Sequence, residues 1–207
     1  MSDMQDLLGI PIGGDRTASV ERRTAETSIR VHLALDGTGR ARIDSGIGFL
    51  DHMLTALTKH ARLDLELACE GDLEVDDHHS AEDCALALGQ ALDQALGERR
   101  GIHRFASAYA PLDEALARAV VDLSGRPWPE INLGFRREML GEIATENLTH
   151  FFQSLAITAR MALHVDVLRG ANDHHRAEAA FKALALALRQ AIALDGSQEV
   201  PSTIGVL

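Results

Sequence analysis

The stretch DDHHSAED at residues 76–83 returns as NDHHRAEA at residues 172–179, and this pair decides how the chain is organised. Each copy sets two adjacent histidines about one helical turn before a glutamate, and an alanine- and leucine-rich run typical of a helix follows. The residues concerned are His78, His79 and Glu82 in the first copy and His174, His175 and Glu178 in the second. Because the copies lie 96 residues apart (174 minus 78), they predict two related halves.

Two weaker echoes support the duplication. His52 in GFLDHMLTAL and His150 in ENLTHFFQSL lie 98 residues apart (150 minus 52), and each opens an apolar, helix-like segment. LDGTGR, which begins at Leu35, resembles VDLSGR, which begins at Val121, at an offset of 86 (121 minus 35). Since the later offsets are longer by about ten residues, the second half is predicted to hold an insertion between residues 126 and 150.

The patterns along the chain favour one α/β domain built from two repeats. Strands are predicted at residues 28–35, 63–74, 117–122, 131–135 and 162–167, with a further strand after the turn at 36–39. Helices are predicted at residues 50–60, 81–96, 148–161 and 177–193. Residues 1–18 have weak periodicity and are expected to form a flexible N-terminal arm. The single domain, residues 19–207, would then consist of repeats at about 19–105 and 106–198 and a C-terminal tail.

Composition excludes several classes of protein. The net charge of −11 argues against nucleic acid and anionic membranes as partners. No apolar run approaches the ~20 residues that a membrane-spanning helix needs, and the N-terminus lacks a secretory pattern. The two cysteines, Cys69 and Cys84, are expected to be buried, reduced thiols of a cytoplasmic protein.

The repeated histidines and glutamates predict metal binding. A lone histidine pair at a helix start is more often a surface or capping feature, but two copies with matched glutamates and matched single histidines favour ligands. Neighbouring residues on a helix point about 100° apart, so each pair is expected to be shared between two ions. The predicted ligands, three histidines and one glutamate per ion, are His52, His78, His79, Glu82, His150, His174, His175 and Glu178. Such sites suit Mn²⁺, Fe²⁺, Co²⁺ or Zn²⁺.

From residue 19 to the end, the chain resembles imidazoleglycerol-phosphate dehydratase. The segments that carry the resemblance, in order, are RRTAET (22–27), LDGTGR, SGIGFLDHML (45–54), DDHHSAED, GERRGIHRF (97–105), PLDEALARAVVDLSGRP (111–127), HFFQSL (150–155), NDHHRAEAAFKALALALRQA (172–191) and PSTIGVL (201–207). The resemblance implies two similar halves, each a four-stranded sheet with helices packed on one face. It also implies two Mn²⁺ ions per subunit, a small phosphorylated imidazole substrate and a homo-oligomer of 24 subunits with sites at subunit interfaces.

The same resemblance implies a mechanism and its residues. The substrate imidazole would bridge the two ions as an imidazolate, while a carboxylate, Glu26, removes the carbon-bound proton. The substrate phosphate would be held by Arg104, Arg126, Lys182 and Ser202.

The chain departs from the family pattern at three positions. Ile204 stands where the family usually has a lysine, a loss that is expected to weaken phosphate binding by ~1.5–3 kcal/mol. Ala56 replaces a frequent glutamine, and Ala61 replaces a frequent glycine. None of these changes touches a predicted metal ligand or Glu26.

Two other hypotheses fit the same ligand set. A di-metal hydrolase or phosphatase would use a metal-bound hydroxide as its nucleophile. A non-catalytic metal-binding scaffold would have kept its ions and lost substrate affinity through changes such as Ile204.

Overall fold

The computed structural model describes residues 14–205 and residue 207, and it folds as two halves whose elements follow the same order apart from one extra hairpin in the second half. The first half contains, in chain order, β1 (Thr17–Arg23), β2 (Thr27–Ala34), β3 (Ala41–Asp44), α1 (Gly48–Ala61), β4 (Asp64–Gly71) and α2 (His78–Leu96). The second half contains β5 (Phe105–Leu112), β6 (Ala115–Asp122), β7 (Trp128–Asn132), β8 (Met139–Leu140), β9 (Ile143–Ala144), α3 (Thr145–Thr158), β10 (Ala162–Arg169) and α4 (Asp173–Ala191).

Each half forms a four-stranded sheet, and the two sheets have identical topology. The strand orders are β1-β2-β4-β3 in the first sheet and β5-β6-β10-β7 in the second. Three strands of each sheet pair antiparallel, while the last strand runs parallel to its neighbour. A parallel neighbour requires a crossover connection, which α1 supplies between β3 and β4 and α3 supplies between β7 and β10. The predicted fold class and the internal duplication are therefore confirmed.

The four helices lie between the two sheets. The long helix of each half packs on its own sheet, α2 on β1, β2 and β4, and α4 on β5, β6 and β10. The shorter helices cross over to the other half, so that α1 packs on α4 and α3 packs on α2. Alternating strand residues face this helical layer, which leaves the opposite face of each sheet toward solvent. Among the described helices, none is long and apolar enough to cross a membrane.

The core is dominated by small and aliphatic side chains, with one aromatic cluster. Phe151, Phe152 and Phe181 are fully buried, and the rings of Phe152 and Phe181 stand 4.6 Å apart between α3 and α4. Alanines on α2 and α4 let the helices approach closely, because a methyl group adds little thickness at a contact. Cys69 and Cys84 are buried and free, as predicted. The hydrogen bond with Cys69 and burial raise the pKa of the Cys84 thiol well above its usual value.

Most predicted elements are present, with shifted boundaries. The predicted insertion in the second half contains the short hairpin β8–β9, which has no counterpart in the first half. The strand predicted at residues 131–135 lies instead at Trp128–Asn132. Strand β1 begins at Thr17, so the last two residues of the expected N-terminal arm belong to it, and residues 1–13 of that arm lie outside the described residues.

Strands β1 and β5 were not predicted, and both lie at sheet edges. An edge strand exposes more of its residues, so its hydrophobic alternation is weak. In β5 the inward positions include only Ala108 and Ala110 among the buried residues, and Pro111 is tolerated because an edge strand leaves one side of its backbone unpaired.

Gly89 allows the close crossing of α2 and α3, which leads to the first prediction. A Cβ atom at this position would lie 2.1 Å from Thr158 Oγ1 and 2.7 Å from the Leu155 carbonyl oxygen. Overpacking of a tight core contact costs about 1–3 kcal/mol. We therefore expect Gly89→Ala to lower the melting temperature by roughly 2–4 °C per kcal/mol lost, measured by thermal unfolding.

Gly48→Ala is the matched control for this measurement. The new Cβ atom would meet only Glu142 Oε2, at 3.7 Å, so the melting temperature should stay close to that of the parent chain. Equal stability of the two variants would contradict the role assigned to Gly89.

Candidate metal centres

The first centre consists of His52 from α1 and of His174 and Glu178 from α4. One ligand atom from each residue lies within 4.8 Å of the other two. Nε2 of His52 lies 3.3 Å and Nε2 of His174 lies 3.2 Å from Glu178 Oε2. Because all three atoms converge on one point, these side chains can bind a single ion.

Glu178 is also held by a cation. Lys182 Nζ lies 2.6 Å from Glu178 Oε1, the carboxylate oxygen that faces away from the histidines. Burial acts to raise the pKa of Glu178, but Lys182, His174 and His52 outweigh it, and the net pKa is lowered. The carboxyl group is therefore kept ionised, which is the form that binds a metal.

The second centre consists of His78 and Glu82 from α2 and of His150 from α3. Nε2 of His150 lies 2.9 Å from Glu82 Oε1, and Nε2 of His78 lies 3.6 Å from Glu82 Oε2. The rings of His78 and His150 stack with centroids 5.2 Å apart. This centre repeats the composition of the first, with two histidines and one glutamate.

Each centre combines the two halves of the chain. His52, from the first half, joins the histidine–glutamate pair of α4, while His150, from the second half, joins that of α2. The exchange follows from helix packing, since α1 lies on α4 and α3 lies on α2. Sequence spacing indicated which residues were related by duplication, but it carried no information about this exchange.

The donor atoms suit a divalent transition metal. Two imidazole nitrogens and one carboxylate oxygen, each contributed from a helix, leave coordination positions open in each centre. In the second centre, Nδ1 of His78 donates a 2.9 Å hydrogen bond to Asn147 Oδ1, which leaves Nε2 as the nitrogen with a lone pair for the ion. Among the described residues, these two centres are the groups of three or more ligand-type side chains that lie close enough to hold an ion.

His79 and His175 point away from the centres formed by their own chain. Nδ1 of His79 donates to Asp72, at 3.0 Å, and Nδ1 of His175 donates to Glu114, at 2.7 Å. These hydrogen bonds raise the pKa of both imidazoles, and the bond from His175 lowers the pKa of Glu114 to about 2. Because neither side chain joins a centre of its own chain, we call these two histidines outward-facing. Their Nε2 atoms lie 3.7 Å from Glu26 Oε1 in His79 and 3.8 Å from Asp113 Oδ2 in His175. Asp72 and Glu114 were not identified from sequence, because neither belongs to the repeated motif.

Glu26 lies beside one of these outward-facing histidines. Its Oε1 atom is 3.7 Å from Nε2 of His79, and half of the side chain is exposed. The backbone N–H groups of Glu26 and Thr27 both donate to Thr24 Oγ1, which fixes the turn between β1 and β2. The turn therefore holds a solvent-accessible carboxylate next to a predicted ligand.

Asp83 connects this turn to helix α2. Its carboxylate accepts a 3.0 Å hydrogen bond from Arg22 Nε and a 2.5 Å hydrogen bond from Thr27 Oγ1, and the residue is buried. Asp83 directly follows Glu82, a predicted metal ligand, on α2. The same part of this helix therefore carries a predicted ligand and anchors both ends of the β1–β2 connection that holds Glu26.

The other aspartates near the histidines also hold loops. Asp77 accepts hydrogen bonds from Ala144 N and Asn147 Nδ2, at 2.7 and 3.0 Å. Asp173 accepts from the backbone N–H groups of Arg136 and Arg137, both at 2.7 Å. Asp51 accepts from Ser45 N at 2.8 Å. These contacts tie the starts of α1, α2 and α4 to neighbouring segments. Asn147, which orients His78, was missed because the first half has no equivalent: Phe49 stands three residues before His52.

The predicted phosphate residues lie in two regions of the chain. Arg104 is buried, where its guanidinium pairs with Asp122 at 2.7 Å and donates to the Pro201 carbonyl oxygen at 2.7 Å. Its backbone N–H donates to Ala191 O, at the end of α4. Lys182 lies nine residues earlier on that helix, about 13 Å away along the axis. The guanidinium of Arg104 thus secures the C-terminal tail.

The C-terminal tail carries the remaining predicted phosphate residues. Arg126 is exposed, and a Cβ atom on the neighbouring Gly125 would lie 2.9 Å from the backbone of Leu207, so the tail ends beside this turn. Ser202 Oγ accepts a hydrogen bond from Ile204 N, at 3.3 Å. Ile204 is 73% exposed, so its side chain projects from the surface. Arg126, Ser202 and Ile204 therefore lie together at the C-terminal tail, at a distance from Lys182.

Known proteins with similar sequences share one description. The family model for imidazoleglycerol-phosphate dehydratase matches residues 45–188. A protein of that name from Phytophthora nicotianae is 63% identical over 194 residues, which cover 94% of this chain and 43% of the longer relative. One from Phaffia rhodozyma is 56% identical over 204 residues, covering 96% of this chain and 98% of the relative.

A solved structure agrees with these relatives in fold. The crystal structure of the Pyrococcus furiosus dehydratase in complex with (S)-C348 superposes with a TM-score of 0.79 and 36% sequence identity, and the match covers 91% of this chain and all of that one. The matched region contains both centres, and the matched sequences cover nearly the whole chain. The chain therefore belongs to the imidazoleglycerol-phosphate dehydratase family.

Proposed function

We propose that this protein is a metal-dependent hydro-lyase that dehydrates D-erythro-imidazole glycerol phosphate to imidazole acetol phosphate in histidine biosynthesis. The observation that carries the proposal is the pair of matched centres, each with two histidines and one glutamate, in a chain that belongs to this family. The two centres would hold two Mn²⁺ ions per subunit. Bound ions would supply Lewis-acid stabilisation to an imidazole ring that becomes anionic.

Glu26 is proposed as the catalytic base. A carboxylate in reach of solvent and 3.7 Å from His79 can take up the carbon-bound proton of the substrate while the side-chain hydroxyl leaves as water. The hydrogen bonds of Thr24, Thr27 and Asp83 fix the turn that carries Glu26. A rigid turn is required, because the base must reach the substrate from one direction.

The substrate phosphate is proposed to bind to the cationic residues Arg104, Arg126 and Lys182 together with Ser202. Since the backbone of Arg104 lies at the end of α4 and Lys182 lies nine residues before that end, a single copy of the chain does not gather them around one phosphate. Lys182 stands next to the first centre, and Arg126 and Ser202 stand near the C-terminal tail. We therefore propose that residues from more than one subunit form the complete phosphate site.

The coordination geometry favours the same conclusion. Each centre has three ligands, whereas the eight predicted ligands divide into four per ion, and His79 and His175 face outward. We propose that these two histidines complete the centres of neighbouring copies, in a homo-oligomer of 24 subunits. The subunit would then be inactive alone, since neither ion has its full set of ligands within one chain.

The first test is a turnover assay. The purified protein is treated with a chelator, supplied with imidazole glycerol phosphate and assayed for imidazole acetol phosphate with and without added Mn²⁺. We expect product only with the metal. Release of inorganic phosphate in place of the ketone would support a hydrolase, and an absence of turnover with metal bound would support a scaffold.

Replacement of the proposed base gives the second prediction for the site. Glu26→Gln keeps the size and hydrogen-bonding capacity of the side chain but removes the basic oxygen. We expect kcat to fall by about 10²- to 10⁴-fold, the usual contribution of a general base, while bound Mn²⁺ stays constant in elemental analysis. The control is Glu21→Gln, an exposed residue of β1 outside this turn. A Glu26→Gln enzyme with full turnover would exclude Glu26 as the base.

Shared sites lead to a complementation prediction. His150→Ala removes a ligand that faces a centre of its own chain, and His79→Ala removes one that faces outward. Each variant alone should be nearly inactive. Random co-assembly of equal amounts should restore about a quarter of full activity, because half of the centres and half of the outward histidines are then intact. Activity that stays at the level of the separate variants would show that every ligand of a centre comes from one chain.

A further inference from the structure

A cavity of about 210 Å³ lies on the first sheet, and it takes no part in the proposed reaction. Its lining includes Ser19, Arg30, His32, Asp44, Glu66 and Ala68. These side chains alternate along their strands with inward residues such as Val31 and Leu67, which are buried against the helices. The cavity therefore opens on the outer face of the sheet, on the side away from both metal centres.

Ala68 is the reason that this space exists. In the register of the sheet it pairs with Arg30 on β2 and with Asp44 on β3, so a methyl group stands between two long or charged side chains. Glu66 occupies the next outward position on the same strand. The result is a small hollow above Ala68, with Arg30 and Asp44 at its sides and Glu66 at one end.

The carboxylate of Glu66 is buried without a hydrogen-bond donor. The residue is only 3% exposed, and neither carboxylate oxygen has a hydrogen-bond partner in the part of the chain that the structure describes. Its register neighbours are His32, which turns Nδ1 toward Ser19 Oγ at 2.5 Å, and Arg42, which forms no hydrogen bond with either oxygen. A buried acceptor without a donor is unfavourable. We therefore expect the two oxygens to accept hydrogen bonds from a bound molecule or from ordered water.

Arg30 presents the opposite charge to the same hollow. Within residues 14–205, its guanidinium forms no hydrogen bond or ion pair, and it does not reach Glu66. Arg30 and Glu66 thus bring opposite charges to one small cavity without a hydrogen bond between them, and Glu21, Arg42 and Asp44 also line it. A ligand that bridges them must carry a donor cation for Glu66 and an anion for Arg30.

We propose that this cavity binds a free α-amino acid, with its ammonium group on Glu66 and its carboxylate on Arg30. The volume is below the range of about 300–1,000 Å³ that is typical of drug-sized ligands, which favours a molecule of this size over a nucleotide. A bound metal ion is disfavoured, because the described residues bring together three metal-type ligands only at the two centres. The site rests on the sheet face alone and is independent of the dehydratase reaction.

The test is isothermal titration calorimetry of the full chain with glycine, L-alanine and L-histidine. Acetate and methylamine serve as probes with one charge each. We expect saturable binding of at least one amino acid and none of acetate or methylamine. Glu66→Gln and Arg30→Gln should each weaken this binding at least tenfold, since each removes one charge-assisted contact. Glu70→Gln, on the same strand but exposed and outside the cavity lining, is the matched control and should bind like the parent chain.

Thermal unfolding guards against misfolded variants. Glu66→Gln removes a buried charge that lacks a hydrogen-bond donor, so its melting temperature without ligand should be equal to that of the parent or a few degrees higher. Amino-acid binding that is absent from the parent chain, or unchanged in both charge variants, would overturn the proposal. A marked fall in the melting temperature of Glu66→Gln would also overturn it, because Glu66 would then have a structural partner.

Discussion

The packing of each long helix on the short helix from the opposite half is the constraint on which the rest of the structure depends. Helix α1 lies on α4, and α3 lies on α2. This arrangement brings His52 to Glu178 and His150 to Glu82, over distances of 3.3 and 2.9 Å. If each short helix packed on the long helix of its own half, the ligands would pair differently. The duplicated sheets serve mainly to hold this helical layer in place.

Charged side chains outside the two centres hold the helices that carry the candidate ligands. Asp77, Asp83 and Asp173 each accept hydrogen bonds from a neighbouring segment that lies against the start of a long helix. The same aspartates limit how far the adjacent histidines and glutamates can move. Preorganisation of this kind lowers the cost of binding an ion, since the ligands need little rearrangement. Lys182, beside the first centre, makes the two centres unequal, because the position 96 residues earlier on α2 holds Leu86 in place of a cation.

The two sheets differ on their outer faces. The second sheet pairs Arg118 with Asp166 at 2.8 Å, and it also exposes the large side chains of Tyr109 and Trp128. Within residues 14–205, the first sheet leaves Glu66 buried without a hydrogen-bond partner beside a small cavity. Duplication has therefore preserved the topology and the candidate metal ligands while the solvent-facing surfaces diverged. A difference of this kind is expected where the outer faces carry separate binding roles.

The sequence by itself determined the duplication, the four helices and the identity of the candidate ligand residues. Periodic apolar positions specify buried helix faces, and repeated histidine–glutamate motifs specify donor chemistry, so both can be detected locally. Edge strands β1 and β5 escaped detection because half of their residues face solvent and their inward residues are small.

Only the tertiary structure decided how the candidate ligands divide. Two of the eight, His79 and His175, turn outward, and each centre takes one histidine from the other half. Arg104 likewise has an aspartate partner, Asp122, that no spacing indicated. The physical reason is that a sequence motif fixes the direction of a side chain only relative to its own helix. Which side chains meet across two helices depends on packing between segments that are far apart in the chain.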